Sequence, residues 1–276
     1  MRVKVSHFNA FVKNTIAQYD FVAFYDKKII IMDSITLKPH SFLSSPCHWV
    51  LVASWRSVDT GDKKRLLSKE ELERCDRFRR DEDQQRYILA HALKRYCLSQ
   101  YLDVPAGDLL FSSGAKGKPY CTHKDAPAFN LSHSGDYILL GLSSIGHVGV
   151  DVEQSGREVS SDIFPRVLSA EQQQRLMDSV DAQYEFMCYW TQKEAVSKAL
   201  GLGLSIDFTT IQCSGVEGEF DTHHSKQSLL VNTRQWDERH IISVASTVTQ
   251  PLQMIKLLSW DEVLEVVDIH NEPIET

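Results

Sequence analysis

The sequence predicts an α+β fold built of two similar halves, and three observations support it. Strand-like alternation recurs in short runs such as HWVLVASW (48–55) and HVGVDVE (147–153). Two longer stretches with helical spacing, around 86–102 and 184–200, lie between such runs. Each helical block follows a strand, starts after a Leu-Ser pair (Leu67-Ser68, Leu168-Ser169) and ends near a lysine, Lys94 or Lys198. The halves echo one another as a duplicated unit would, at low identity. With 276 residues, 42 % apolar and 24 % charged, the chain suffices for one large domain or two modest ones, and its composition excludes disorder and fibre.

Residues 1–45 hold two apolar runs, FVAFYD and KIIIMD, and read as an N-terminal extension. HWVLVASW opens an N-terminal half over 46–128. Its helical block begins at Ser68, where Glu71 three residues later completes a capping box, and closes in RYILAHALKRYCLSQYL. FSSGAKGKPYCTHKDAPA (111–128) is rich in Gly, Pro and Ser and reads largely as loop. A C-terminal half over 129–260 opens with FNLSHS and DYILLGLSS, a strand pair turned at Gly135, and continues into GVDVE. The second helical block starts at Ser169, with Gln172 three later, and runs through YEFMCYWTQKEAVSKAL to the stops Gly201 and Gly203. FTTIQC, SLLVN and HIISVAS then suggest a meander, and 261–276 form a peripheral acidic tail.

A net charge of −7 argues against a nucleic-acid-coating protein, which needs a dominant positive field. Residues 63–95 depart from that balance, with eleven Lys or Arg against seven Asp or Glu. This basic stretch reads as a solvated helix face or as the edge of a dock for an acidic partner. The first twenty residues lack an apolar h-region and no run approaches 18 apolar residues, so neither secretion nor membrane insertion is expected. Six cysteines, at least 22 residues apart and without CxxC or CxxH spacing, indicate a reducing cytoplasm and no zinc site.

The chemistry concentrates in a few segments. On a strand, GVDVE sends Val150 and Val152 to one face and Gly149, Asp151 and Glu153 to the other. Two carboxylates on one face fit an exposed edge strand or a hard cation such as Mg²⁺. Helical spacing places Trp190, Glu194 and Lys198 on one face; Glu194 and Lys198 suit a plain ion pair, or a third carboxylate and a phosphate-directed ammonium group. Ser132 and His133 are neighbours on a strand and leave opposite faces, so they cannot pair as nucleophile and base. His133 is a satisfied hairpin histidine or a ligand to phosphate. Lys118, among Gly114, Gly117 and Pro119, sits in a loop whose backbone can approach a ligand closely. Glu171 occupies a helix first turn, where the dipole alone explains a carboxylate. His223 and His224 read as residues of a polar loop with little claim to a metal.

GKP (117–119), FNLSHS (129–134), GVDVE (149–153) and WTQKEAVSKALGLGL (190–204) stand in the order and spacing of the 4'-phosphopantetheinyl transferases. Over residues 48 to 250 the chain resembles the larger, single-chain, surfactin-synthetase-activating type of that superfamily. The resemblance implies a monomer of two α/β halves related by pseudo-twofold symmetry, with a coenzyme A cleft between them. It implies that Asp151, Glu153 and Glu194 hold Mg²⁺. It assigns coenzyme A contacts to Arg74, Arg86, Lys118, Pro119, Ser132, His133 and Lys198, with His133 at the 3'-phosphate and Gly117-Lys118-Pro119 bordering the adenine. Glu71 replaces a lysine found in some relatives. Catalytic roles fall to Glu194, Lys198 and Glu171, and the general base is Glu194, Glu171 or a metal-bound water.

The implied reaction moves 4'-phosphopantetheine from coenzyme A to a serine of an apo acyl or peptidyl carrier protein, releasing 3',5'-ADP. This is the holo-[acyl-carrier-protein] synthase reaction of fatty-acid, polyketide and nonribosomal-peptide assembly, placed in the cytoplasm. Two other classes use the same residues: a metal-dependent nucleotide pyrophosphate hydrolase, and a non-catalytic coenzyme A or carrier-binding module.

Overall fold

The computed structural model describes residues 21–25, 28–32, 48–156, 158–225, 227–248, 252–257 and 260. β1 (Phe21–Tyr25) and β2 (Lys28–Met32) form a hairpin, followed by β3 (His48–Ser54). Helices α1 (Lys69–Cys75) and α2 (Asp81–Leu102) come next. β4 (Phe111–Ser113) and β5 (Pro119–Cys121) pair within the Gly- and Pro-rich segment. β6 (Ala128–Ser134), β7 (Tyr137–Ser143) and β8 (Val148–Gln154) lead to α3 (Phe164–Val167), α4 (Ala170–Met177) and α5 (Ala182–Leu200). β9 (Gln212–Cys213), β10 (Gly218–His224), β11 (Gln227–Asp237) and β12 (His240–Ser246) form a meander, and β13 (Leu252–Leu257) ends the described strands.

The larger strands build two sheets, of order β2-β1-β13-β3-β7-β6 and β8-β12-β11-β10-β9. Strand alternation gives each sheet two apolar faces. Leu51, Ala53, Ile138 and Leu140 pack with α2, whereas Val50, Val52 and Leu139 point the other way. There they meet Val148, Val150, Val152, Ile242 and Val244 of the second sheet. On that sheet's far face, Ile241 and Ala245 pack with α5. The layers therefore run helix, sheet, sheet, helix, a mixed α/β architecture. Gly141 on β7 permits the sheet contact, because a Cβ there would lie 2.6 Å from Val150 Cγ1.

Both expected capping boxes are present, Ser68 with Glu71 and Ser169 with Gln172. Gly135 and Gly201 take positive φ at the hairpin turn and the α5 C-terminus. Two readings change. The first helical block breaks at 76–80, where Phe78 O accepts from Gln84 and a new helix starts with Asp81, Glu82 and Asp83 against its dipole. His223 and His224 lie on β10, because alternation there buries Thr222 against β9 and β11 while the flanking side chains stay polar. The passage from the first sheet to the second, moreover, falls at 144–147, within the segment expected as the C-terminal half. β6 and β7 belong with β3, and β13 returns to lie between β1 and β3. β1 and β2 are integral strands of that first sheet. The expected tail at 261–276 lies outside the described residues.

Candidate active site

The site forms where the edge of the second sheet meets the first. Among the described residues β8 pairs only with β12, so the outward N–H groups of Val150 and Val152 need partners. Side chains of β6 provide them: Asn130 Oδ1 accepts from Val150 N at 2.8 Å and Ser132 Oγ from Val152 N at 3.4 Å. Ser132 Oγ also donates to Asp151 Oδ1 (2.8 Å), and Ser134 Oγ to Glu153 Oε2 (3.0 Å). From the other side α5 presses directly on the strand. A Cβ at Gly149 would lie 2.0 Å from Ala195 O and 2.3 Å from Ala199 N, so only glycine lets the helix backbone come this close. That approach brings Lys198 Nζ to 2.5 Å from Asp151 Oδ1 and 3.1 Å from Ser132 Oγ, and Trp190 Nε1 to 3.3 Å from Glu153 Oε1.

Asp151, Glu153 and Glu194 thus share one electrostatic neighbourhood around Lys198. Burial pushes the Asp151 carboxyl up, against the Lys198 ammonium and the Ser132 hydroxyl. Burial and the Asp151 charge push Glu153 up, against Ser134 and Trp190. Burial also raises Glu194; Lys198 opposes it, while Asp151 and Glu153 add to it. Among the described residues no group of three His, Cys, Asp or Glu side chains stands ready-made to hold a metal ion. The donor set nevertheless suits a hard cation, being all carboxylate oxygen, mutually repelling, and including Asp151 Oδ2, a buried oxygen without a hydrogen-bond partner.

His133 leaves β6 on the face opposite Ser132 and is exposed, as period-2 geometry requires. Enough protein still surrounds its ring that desolvation, with Arg86 and then Lys198 nearby, holds the imidazole below its ordinary value. Arg86 is ion-paired with Asp83 and lies 5.5 Å over the Trp55 ring. Arg74 is exposed on α1. Lys118 has a different setting: its Nζ donates to Val148 O and Ala199 O, both at 3.0 Å, tying the β4–β5 loop to β8 and to the α5 C-terminus. Desolvation draws its ammonium down to about 8, while the two carbonyls favour the charge. Pro119 beside it is exposed.

Glu171 remains on the surface, its side chain 77 % exposed and its carboxylate ion-paired with Arg175 at 2.9 Å. Glu71 points between α1 and α2. It accepts from His91, Lys94 and Arg95, at 2.8, 2.7 and 2.6 Å, and clamps α1 onto α2. Asn130 and Ser134 join the site without a signal of their own beyond repeating at period two with Ser132, while Trp190, expected on the face of Glu194 and Lys198, also donates to Glu153. A pocket of about 280 Å³ lies beside Glu153, walled by Val159, Ile163, Phe186, Met187 and Trp190.

Three buried or half-buried acids, an ammonium group and nearby cationic side chains, where two α/β layers meet, define a site suited to a phosphorylated ligand. Comparison with known proteins agrees. The family described as "4'-phosphopantetheinyl transferase superfamily" matches residues 147–245, and "4'-phosphopantetheinyl transferase, N-terminal" matches 54–144. The two matches abut where the chain passes from the first sheet to the second. A putative 4'-phosphopantetheinyl transferase of Synechocystis is 34 % identical over 145 residues, covering 51 % of this chain and 59 % of that protein. The transferase Sfp of Bacillus subtilis is 28 % identical over 206 residues, 72 % of this chain and 90 % of Sfp. HetI of Nostoc is 29 % identical over 182 residues, 60 % and 77 % of the two chains. A holo-[acyl-carrier-protein] synthase structure from Thermotoga maritima overlaps 36 % of this chain and 61 % of that one at 21 % identity, with a TM-score of 0.27, too low to bear on the architecture. The chain belongs to the 4'-phosphopantetheinyl transferase superfamily, as a transferase of the holo-[acyl-carrier-protein] synthase kind and of the larger, Sfp-like type.

Proposed function

We propose that this protein transfers 4'-phosphopantetheine from coenzyme A to a serine of an apo carrier protein in the cytoplasm, acting as a Mg²⁺-dependent monomer. The observation that carries the reading is the grouping of Asp151, Glu153 and Glu194 around Lys198 at the seam between the sheets, with one Asp151 oxygen left unpartnered. Asp151, Glu153 and Glu194 would hold the cation. Bound there, Mg²⁺ supplies positive charge to the donor's diphosphate. Lys198 lies beside the same acids and is set to contact phosphate oxygens, while Arg86, Arg74 and His133 face the remaining anionic charge of the donor. The pocket beside Glu153, whose wall joins Val159, Ile163, Phe186, Met187 and Trp190 to the polar Glu158 and Ser160, has room for the donor's aliphatic arm.

In this reading the carrier's serine oxygen forms a new bond to the β-phosphorus, the diphosphate bridge breaks, and 3',5'-ADP leaves with the bonding pair. The serine proton passes to a carboxylate, for which Glu194 is better placed than Glu171, whose charge is spent on Arg175 at the surface. Ser132 acts from below by orienting Asp151 and Lys198, and Lys118 by fixing the loop that borders the site. The two layers, each a sheet under one long helix, serve as halves related by a pseudo-twofold axis, with the coenzyme A cleft along their seam. The passage from the first sheet to the second at 144–147 supports a boundary there between the two functional halves.

Incubation of the protein with coenzyme A, Mg²⁺ and a panel of apo carriers should add about 340 Da, the mass of the transferred group, to at least one carrier. Release of 3',5'-ADP and free 4'-phosphopantetheine without any carrier gaining mass would favour the hydrolase instead.

A further inference from the structure

Each site acid on β8 faces a serine on β6, two residues apart on both strands: Ser132 meets Asp151, and Ser134 meets Glu153. The serines act on unlike partners. Asp151 Oδ1 also receives the Lys198 ammonium and is held by charge as well as by hydrogen bonding. Both Glu153 oxygens accept instead from neutral donors, Oε2 from Ser134 Oγ and Oε1 from Trp190 Nε1. A neutral donor fixes a carboxylate without cancelling its charge, and each oxygen retains a lone pair for a further partner. The two donors also come from different layers, Ser134 from the first sheet and Trp190 from α5, so Glu153 is oriented only when the layers are joined.

We infer that Ser134 is a positioning residue: its hydroxyl reaches across the seam to hold Glu153 turned toward a divalent cation shared with Asp151 and Glu194. The inference deepens the proposed function and rests on its metal reading. Loss of the hydroxyl leaves Glu153 tethered by Trp190 alone and free to turn, which weakens cation binding without removing a ligand. Outer partners of metal-ligating carboxylates typically have effects of about tenfold or more.

The test is direct Mn²⁺ binding to the pure protein, followed by electron paramagnetic resonance of the free ion, with no substrate present. Ser134→Ala should weaken Mn²⁺ binding roughly tenfold, and Ser134→Thr, which restores a hydroxyl, should return it to within about threefold of the parent. Parent-like affinity in Ser134→Ala, or a threonine variant no better than alanine, overturns the role of Ser134 and leaves the metal reading intact. A parent protein that binds no Mn²⁺ overturns the metal reading and this role with it. Should the alanine variant fail to fold, Ser134→Cys supplies the comparison, since a thiol fits the space but donates weakly: reduced affinity supports the role and parent-like affinity refutes it.

Discussion

Glu71 combines two roles in one side chain. It closes the capping box that starts α1, and its two oxygens also bind His91, Lys94 and Arg95 of α2. Burial pushes this carboxyl up, but the His91 hydrogen bond and the Lys94 and Arg95 cations together hold it well below its ordinary 4.5. Burial lowers Lys94 in turn, and its ion pair and hydrogen bond with Glu71 oppose that shift. The stability that Glu71 contributes is thus present above the ordinary carboxylate range and is lost as pH falls below 4.5, where the unfolded chain takes the proton first. Glu71→Gln should cost about 3–5 kcal/mol at neutral pH by stranding two buried cations. Chemical denaturation at pH 7 and pH 3 should show the difference between variant and parent shrinking in acid. Asp151 behaves oppositely. Burial pushes its carboxyl up against the Lys198 ammonium, and Lys198, 27 % exposed, can turn to water without it. Asp151→Ala should reduce transfer by roughly 10²–10³ while shifting the melting midpoint by less than about 4 °C; a large loss of stability would contradict this account.

α5 and β8 are joined by the absence of a side chain. The Gly149 notch sets the helix height, and that height lets Lys198 reach Asp151. Gly149→Ala must push the helix backbone away, because the atoms it meets are main-chain and cannot rotate aside. A loss of about 2–3 kcal/mol by urea denaturation is expected, with transfer falling further than stability alone explains. The capping boxes, the Gly135 turn and the period-2 face of GVDVE could be read along the chain because each depends on residues within one or two turns. The break between α1 and α2 and the strand at 218–224 could not, since a basic run and a polar alternation carry no sign of what they pack against.

Over the whole molecule the charge is divided. Arg74, Arg77, Arg79 and Arg80 are exposed where α1 gives way to α2, on a chain whose net charge is −7. A carrier protein with an acidic surface would find its complement there. Charge reversal at Arg77→Glu and Arg80→Glu should raise the carrier KM about tenfold or more while changing the coenzyme A KM by less than threefold; equal losses in steady-state assays would remove this surface as the dock. Five cysteines at 75, 97, 121, 188 and 213 are free and buried, and among the described residues no helix is long and apolar enough to cross a membrane.

The sequence by itself determined the mixed α/β elements, their caps and turns, the shared face of Asp151 and Glu153, and the shared face of Trp190, Glu194 and Lys198. All of these follow from backbone periodicity over a few residues. Tertiary structure alone decided that these two faces meet, that Ser132 and Ser134 each serve an acid, that Lys118 secures carbonyls and that Glu71 binds two helices. Those outcomes depend on which sheet edge is left unpaired and on how near two backbones can come, and both are set by strands far apart in the chain.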